Sequence, residues 1–268
     1  MTDTTTPMKM PRITLRVSPG SLMFAVADKD VKEQLRFEPY VSKSGVSMAA
    51  NLREAFRSAS LLQGPNDRAQ VLVDAPVLLV PREEYQESDN ETLYSHSFPY
   101  TEGSVVMANP LPNLNCMALF AVNKDLKLVV DDHFRDVRFT TLMRPVWSYL
   151  HRRGAFGERR KLFAHFHDGK MEVFAFERNR FLFNNSFNTR NAKDAIYFIL
   201  FVWKQLALDQ QRDELYISGE IPEGDDLMQP LKKYVAKVSR ILASSDFNRA
   251  PMTALRGITF DLLTLYLG

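Results

Sequence analysis

The segment Lys161–Phe187, KLFAHFHDGKMEVFAFERNRFLFNNSF, decides how the chain folds. Asp168-Gly169 stands between two apolar-rich runs. A type I′ turn needs φ > 0 at both central residues, and Asp-Gly tolerates it. A two-residue loop fixes register: His167 faces Lys170, His165 faces Glu172 and Phe163 faces Phe174. A second turn at Arg178-Asn179 predicts Phe176 opposite Phe181 and Phe174 opposite Phe183. One face then carries Phe163, Phe174, Phe176, Phe181 and Phe183. The other carries Leu162, Ala164, Phe166, Met171, Val173, Ala175 and Leu182. Both faces are apolar, so both must be covered. An antiparallel meander covered on both sides points to a layered α/β domain.

The cover follows. AIYFILFVWKQLAL, Ala195–Leu208, is apolar on nearly all sides and predicts a buried core helix. With Lys204-Gln205 inside it, the run is too short for a membrane span, which needs about 20 residues. Glu214–Gly219 reads as a strand, Leu227–Leu242 as a helix, Ala243–Pro251 as a loop and Thr253–Leu267 as a closing amphipathic helix.

The first half repeats the plan without repeating the sequence. ITLRV, a turn at Ser18-Pro19-Gly20 and SLMFAV form a hairpin, and Val31–Val41 adds a third strand. Ser47 caps a helix whose apolar residues recur at helical spacing from Met48 to Leu62, and Gly64-Pro65 stops it. Val71–Val73, Val77–Val80, Ser104–Asn109, Cys116–Val122 and Val137–Thr141 read as strands. Pro81 with Glu83-Glu84 reads as a helix opening. Asp125–His133 and Leu142–Arg152 read as helices, the latter kinked at Pro145. The basic, glycine-broken run Arg152–Lys161 reads as a linker. The expected division is a disordered N-terminus (1–11), a first lobe (12–151), the linker (152–161) and a second lobe (162–268).

Composition narrows the function classes. The 268 residues carry a net charge of +2 and 45% hydrophobic content, ordinary for a globular protein and without a field for nucleic acid. The one cysteine, Cys116, excludes internal disulfides and suits a reducing, cytoplasmic setting. MTDTTTPMKMPR has no apolar stretch of the signal-peptide kind, so the Asn90 and Asn184 glycosylation sequons read as chance matches.

This two-part plan resembles the actin-like ATPase superfamily, with a ribonuclease H-like mixed sheet and flanking helices in each lobe. It is similar to the pilus-assembly protein PilM and to the cytoplasmic part of the secretion protein GspL. The segments FERNRFLFNNSF, DELYISGE and LMQPLKKYVAKV carry that likeness. Over about residues 11–268 the chain also resembles an uncharacterised family known mainly from Bacteroidetes. The likeness lies in ITLRVSPGSLMFAV, VLLVPREEY, YFILFVWKQLALD and ITFDLLTLYL. It implies a fold and no activity.

The superfamily holds phosphates in the two meander turns, each resembling Asp-x-Gly-x-x-Thr/Ser, with the aspartate organising Mg²⁺ and water. Here the first turn spans Arg16, Ser18, Pro19 and Gly20. By likeness Arg16 stands in the acid's place, and Pro19 removes a backbone donor. In the second turn His165 stands in the acid's place, ahead of His167 and Gly169. The adenosine strand, which usually ends in two glycines, ends in Ser218-Gly219-Glu220. These degraded positions imply no catalytic residue, no cofactor and no metal.

The remaining candidates each have a plainer reading. His165 and His167, with Asp168 and His133, have zinc-like chemistry, but register gives His165 an ordinary cross-strand neighbour in Glu172. Cys116 sits in an apolar run, as a core thiol does. Asp131-Asp132-His133 reads as a solvated helix end. His151–Lys161 could meet phosphates but lacks interleaved aromatics apart from Phe156. Asn184, Asn185, Ser186 and Asn188 either line the interlobe cleft or cap the helix near Ala192. The sequence thus reads as an inert actin-like interaction module with an unidentified protein partner or a second copy of itself. A divergent ATPase or phosphotransferase is the alternative.

Overall fold

Asp168 and Gly169 both take positive φ, 46° and 75°, as the type I′ turn requires. The computed structural model describes residues 11–268 apart from 100–102, 156, 190 and 222–225. The expectations for residues 1–10, Phe156 and Pro222–Asp225 therefore lie outside the described residues. In chain order the elements are β1 (Ile13–Ser18), β2 (Ser21–Ala27), β3 (Leu35–Val41), α1 (Met48–Ser58), β4 (Arg68–Val73), β5 (Val77–Pro81), α2 (Asn90–Ser97), β6 (Ser104–Leu111), β7 (Cys116–Asn123), α3 (Lys124–His133), β8 (Asp136–Thr141), α4 (Met143–Gly154), β9 (Lys161–His167), β10 (Lys170–Glu177), β11 (Arg180–Asn188), α5 (Ala192–Gln205), β12 (Glu214–Gly219), α6 (Met228–Lys232), β13 (Lys237–Arg240), α7 (Ala243–Asp246) and α8 (Phe260–Leu267).

Two sheets share one plan, β3-β2-β1-β4-β8 and β11-β10-β9-β12-β13. Each is an antiparallel meander followed by two parallel strands. A small antiparallel sheet, β5-β7-β6, lies between β4 and β8 in the chain. Its Asn109 side chain accepts from the Thr141 N–H and donates to the Phe139 carbonyl, which ties it to β8.

The inner faces of both large sheets close on α4 and α8. Ala25 and Leu72 from one side join Phe163 and Phe174 from the other, with Trp147 and Leu263 between them. Fully burying each such Leu or Phe contributes about 1.5–3 kcal/mol. A second core lies under α1 and α3, and a third under α5 and α6. No helix among the described residues is long and apolar enough to cross a membrane.

The β9–β10 register is as expected. The β10–β11 register is not. Phe176 faces Phe181, but Ala175 faces Phe183 and Phe174 faces Asn184. A bulge puts Leu182 into β11 as an extra residue, and one inserted residue turns every later side chain to the other face. Phe183 therefore packs on the α5 core, away from Phe163 and Phe174, while Leu182 is 39% exposed.

Other expectations also shift. The Leu227–Leu242 helix stops after Lys232, and Lys237–Arg240 pairs with β12 instead, where β-branched Val238 suits a strand. Pro81 closes β5 opposite Cys116 rather than opening a helix, since proline is tolerated on an edge strand. Pro145 sits in the first turn of an unbroken α4, where no intrahelical N–H is lost. Residues 243–246 of the expected loop form α7, and α8 begins only at Phe260, past Gly257 at φ 80°. The α5 helix buries one side only, with Tyr197 63% and Phe201 47% exposed. Ser47 caps α1 as expected, accepting from the Ala50 N–H at 3.2 Å.

Candidate functional site

The two meander turns meet. Arg16 is a lone cation in an apolar strand, and α8 brings a lone acid, Asp261, from an equally apolar helix. Both are fully buried. Arg16 Nε donates to both Asp261 oxygens at 2.9 and 3.0 Å. Its Nη2 donates to Asp168 Oδ2 at 2.5 Å, and Ser18 Oγ donates to Asp168 Oδ1 at 2.8 Å. The first turn thus grips the second directly. A reciprocal contact lies beside it, where Lys170 Nζ meets Asp74 at 2.5 Å and Glu172 at 3.9 Å.

Electrostatics follow from these pairings. Burial works against the Arg16 charge, but Asp261 and Asp168 outweigh it and hold the guanidinium above the usual arginine range. Burial likewise opposes the Asp168 charge, yet His167, Arg16 and Ser18 hold its carboxyl well below the usual carboxylate range. His167 Nδ1 lies 3.2 Å from Asp168 and its Nε2 3.7 Å from Glu172. Against desolvation, these carboxylates push its pKa up to about 9. His165 is held well below the usual histidine range by burial, then by His167 and Arg16. Its Nδ1 meets Ser218 Oγ at 3.0 Å. Glu220 stands at the exposed rim, its carboxyl raised by partial desolvation and by the Asp168 charge.

Of the degraded positions, Arg16 and Ser18 meet the second turn at Asp168 beside His167, and His165 meets Ser218 and Gly219, so polar protein groups bind each other there. Gly219 has another reason to be glycine. It has φ 85°, and a Cβ there would stand 2.0 Å from the Phe166 carbonyl oxygen. It serves the close approach of β12 to β9. Gly20 and Gly169 face open space.

The zinc-like residues weighed above, His165, His167, Asp168 and His133, do not all come together among the described residues. Ligand atoms of Asp74, His167 and Asp168 do lie within 4.8 Å of one another, but Lys170 and Arg16 are already bound to those carboxylates. His133 is elsewhere, stacked on Phe56 at 3.7 Å. Asp131 is exposed and paired with Lys127. Cys116 is buried, its thiol pushed up to about 11 by desolvation. The basic run is largely tied down: Arg153 pairs with Asp246, Arg159 with Glu214 and Arg160 with Asp213. Asn191 caps α5, which leaves Asn184, Asn185, Ser186 and Asn188 to line a groove between the second sheet and β5.

Sequence reasoning missed Asp74 and Asp261. A readable signal existed for the second: opposite lone charges in two apolar runs, ITLRV and ITFDLL, each need a buried partner.

The family described as "Protein of unknown function (DUF3822)" matches residues 3–238. A comparison with curated proteins gives no match. Among solved structures, a Bacteroides thetaiotaomicron protein of actin-like ATPase fold and unknown function superposes with a TM-score of 0.82 at 24% identity, covering 96% of this chain and 95% of that one. A PilM–PilN type IV pilus biogenesis complex gives 0.50 at 11% identity, over 88% and 89%. The cytoplasmic domain of EpsL, an inner membrane component of the Vibrio cholerae type II secretion system, gives 0.48 at 13%, over 94% and 92%. The fold is the actin-like ATPase fold.

Proposed function

This chain belongs to the DUF3822 family, and we propose that it is a catalytically inert actin-like protein that acts in the cytoplasm through protein contacts. One observation carries the reading. The Arg16 guanidinium is buried between Asp168 and Asp261, at the position where, by the actin-like resemblance, the acid that organises an Mg²⁺–phosphate group would stand. A cation cannot ligate Mg²⁺, and moving it would strand two carboxylates in a desolvated place. We take residues 12–151 and 162–268 as the two lobes, with α8 returning to the first. There Tyr266 donates to the Ala25 carbonyl and shares a 2.7 Å hydrogen bond with Thr14. The PilM neighbour was solved as a complex with a partner protein, which supports an interaction role.

Calorimetric titration with ATP, with and without Mg²⁺, tests the reading. No saturable heat is expected in either condition. Micromolar binding abolished by Arg16→Ala would mean that Arg16 pairs a phosphate directly and would favour the divergent-nucleotide alternative.

A further inference from the structure

The interlobe groove runs between two strands that end their sheets. β5 ends the small sheet and β11 ends the second large sheet, each with one hydrogen-bonded neighbour among the described strands. The groove measures about 620 Å³. Val77 and Leu79 of β5, Trp147 of α4 and Phe181–Ser186 of β11 lie on its wall. An unpaired strand edge presents a row of backbone donors and acceptors, which natural proteins usually blunt or cover. Here β11 is not blunted by proline, and Leu182, Asn185, Ser186 and Asn188 on it are exposed.

Two further atoms point to an occupant. The Trp147 indole N–H, in a side chain with no exposed surface, has no hydrogen-bond partner among the described residues. Neither has the buried Asn184 Oδ1. One is a donor and the other an acceptor, and unpaired buried groups of this kind are costly unless something meets them. Charge complementarity narrows the choice. The charged residues on the wall, Lys170 and Glu172, are already matched with Asp74, His167 and each other. The groove is therefore neutral and rejects a phosphate or carboxylate. A peptide backbone supplies one donor and one acceptor per residue without net charge, and its alternate side chains can enter an aromatic-lined wall.

We propose that this groove binds an extended, uncharged segment of a partner protein, which adds to the free edge of β11 and satisfies Trp147 and Asn184. This rests on the interaction-module reading and names its site.

The test uses the full chain. A random-peptide phage library is panned against it, and enriched peptides are synthesised and titrated. Enriched sequences should alternate apolar side chains and lack charge at their centres. They should slow hydrogen exchange of the 180–188 backbone amides. Asn184→Leu, on a partly exposed strand, should weaken binding at least about tenfold while leaving the melting transition in place. Trp147→Phe, which keeps an aromatic six-membered ring and removes the pyrrole ring with its N–H, should do the same. No enrichment, enrichment of charged peptides, exchange protection elsewhere, or affinity unchanged in both variants would overturn the proposal. The ATP titration reads the parent hypothesis separately: ATP binding with peptide protection at β11 sinks inertness alone, and neither ligand binding sinks the groove alone.

Discussion

Arg16→Met is the most informative perturbation. It keeps much of the side chain's length in the core and removes the charge. Asp261, whose side chain is 1% exposed, then keeps only the Thr259 hydroxyl as a side-chain partner among the described residues, at 2.8 Å. Asp168 retains Ser18 and His167. Removing one member of a buried ion pair costs about 3–5 kcal/mol, because the other charge stays buried without compensation. At roughly 2–4 °C per kcal/mol for a chain near this size, Tm falls by about 6–20 °C. The double variant Arg16→Met with Asp261→Leu removes the stranded charge as well. It should recover much of the loss, with a coupling energy of about 2 kcal/mol or more. The assay is urea unfolding followed by fluorescence and circular dichroism. A single-variant loss under about 1 kcal/mol, or strict additivity in the double variant, would refute the buried-clasp argument.

Stability should peak with pH near 6.5. The His167 pKa is raised to about 9 in the fold, so its contribution is complete below the unfolded value of about 6.5 and is lost as pH climbs to about 9. That of His165 is depressed, so its contribution is present above about 6.5 and is lost on acidification. His167→Gln should flatten the alkaline limb and His165→Gln the acid limb of a Tm-against-pH profile. If each substitution leaves its limb intact, the assignment fails. Gly219→Ala should cost more than about 2 kcal/mol, combining a strained φ with a Cβ 2.0 Å from the Phe166 oxygen; near-native urea unfolding would contradict it. The buried Cys116 thiol, its pKa near 11, should resist Ellman's reagent until urea unfolds the chain, whereas rapid native labelling would place it at the surface.

Much of the fold was legible because its signals are local. Asp168-Gly169 dictates a turn, and a two-residue turn dictates register for the strands it joins. The misreadings came where non-local pairing won. Leu182 became a bulge because inner-face packing of Phe181 and outer-face packing of Phe183 cannot both be met by strict alternation. The segment Lys237–Arg240 became a strand because β12 offered an edge. Nothing within LKKYVAKVSR reveals that edge, which is assembled from residues far away in the chain.

The site was legible in the same partial way. The likeness to actin-like ATPases marks Arg16, Ser18, His165 and Gly219 as the places where phosphate and adenine are expected to lie. It cannot say what replaces them. The loss of an acid at Arg16 reads in sequence as a deletion of chemistry. In the structure that position holds a guanidinium bridging Asp168 and Asp261; on the inert-protein proposal it stands in place of a metal ion bridging anionic groups. Lys170 likewise bridges Asp74 and Glu172. Both cations belong to the chain and cannot dissociate. A ligand-bridged cleft can open when its nucleotide leaves, whereas this one must break buried ion pairs to open. The lobes should therefore hold one relative position with or without ATP, which small-angle scattering in both conditions can read. A change of radius on adding ATP would show that the clasp yields, and that the cleft still works as a hinge.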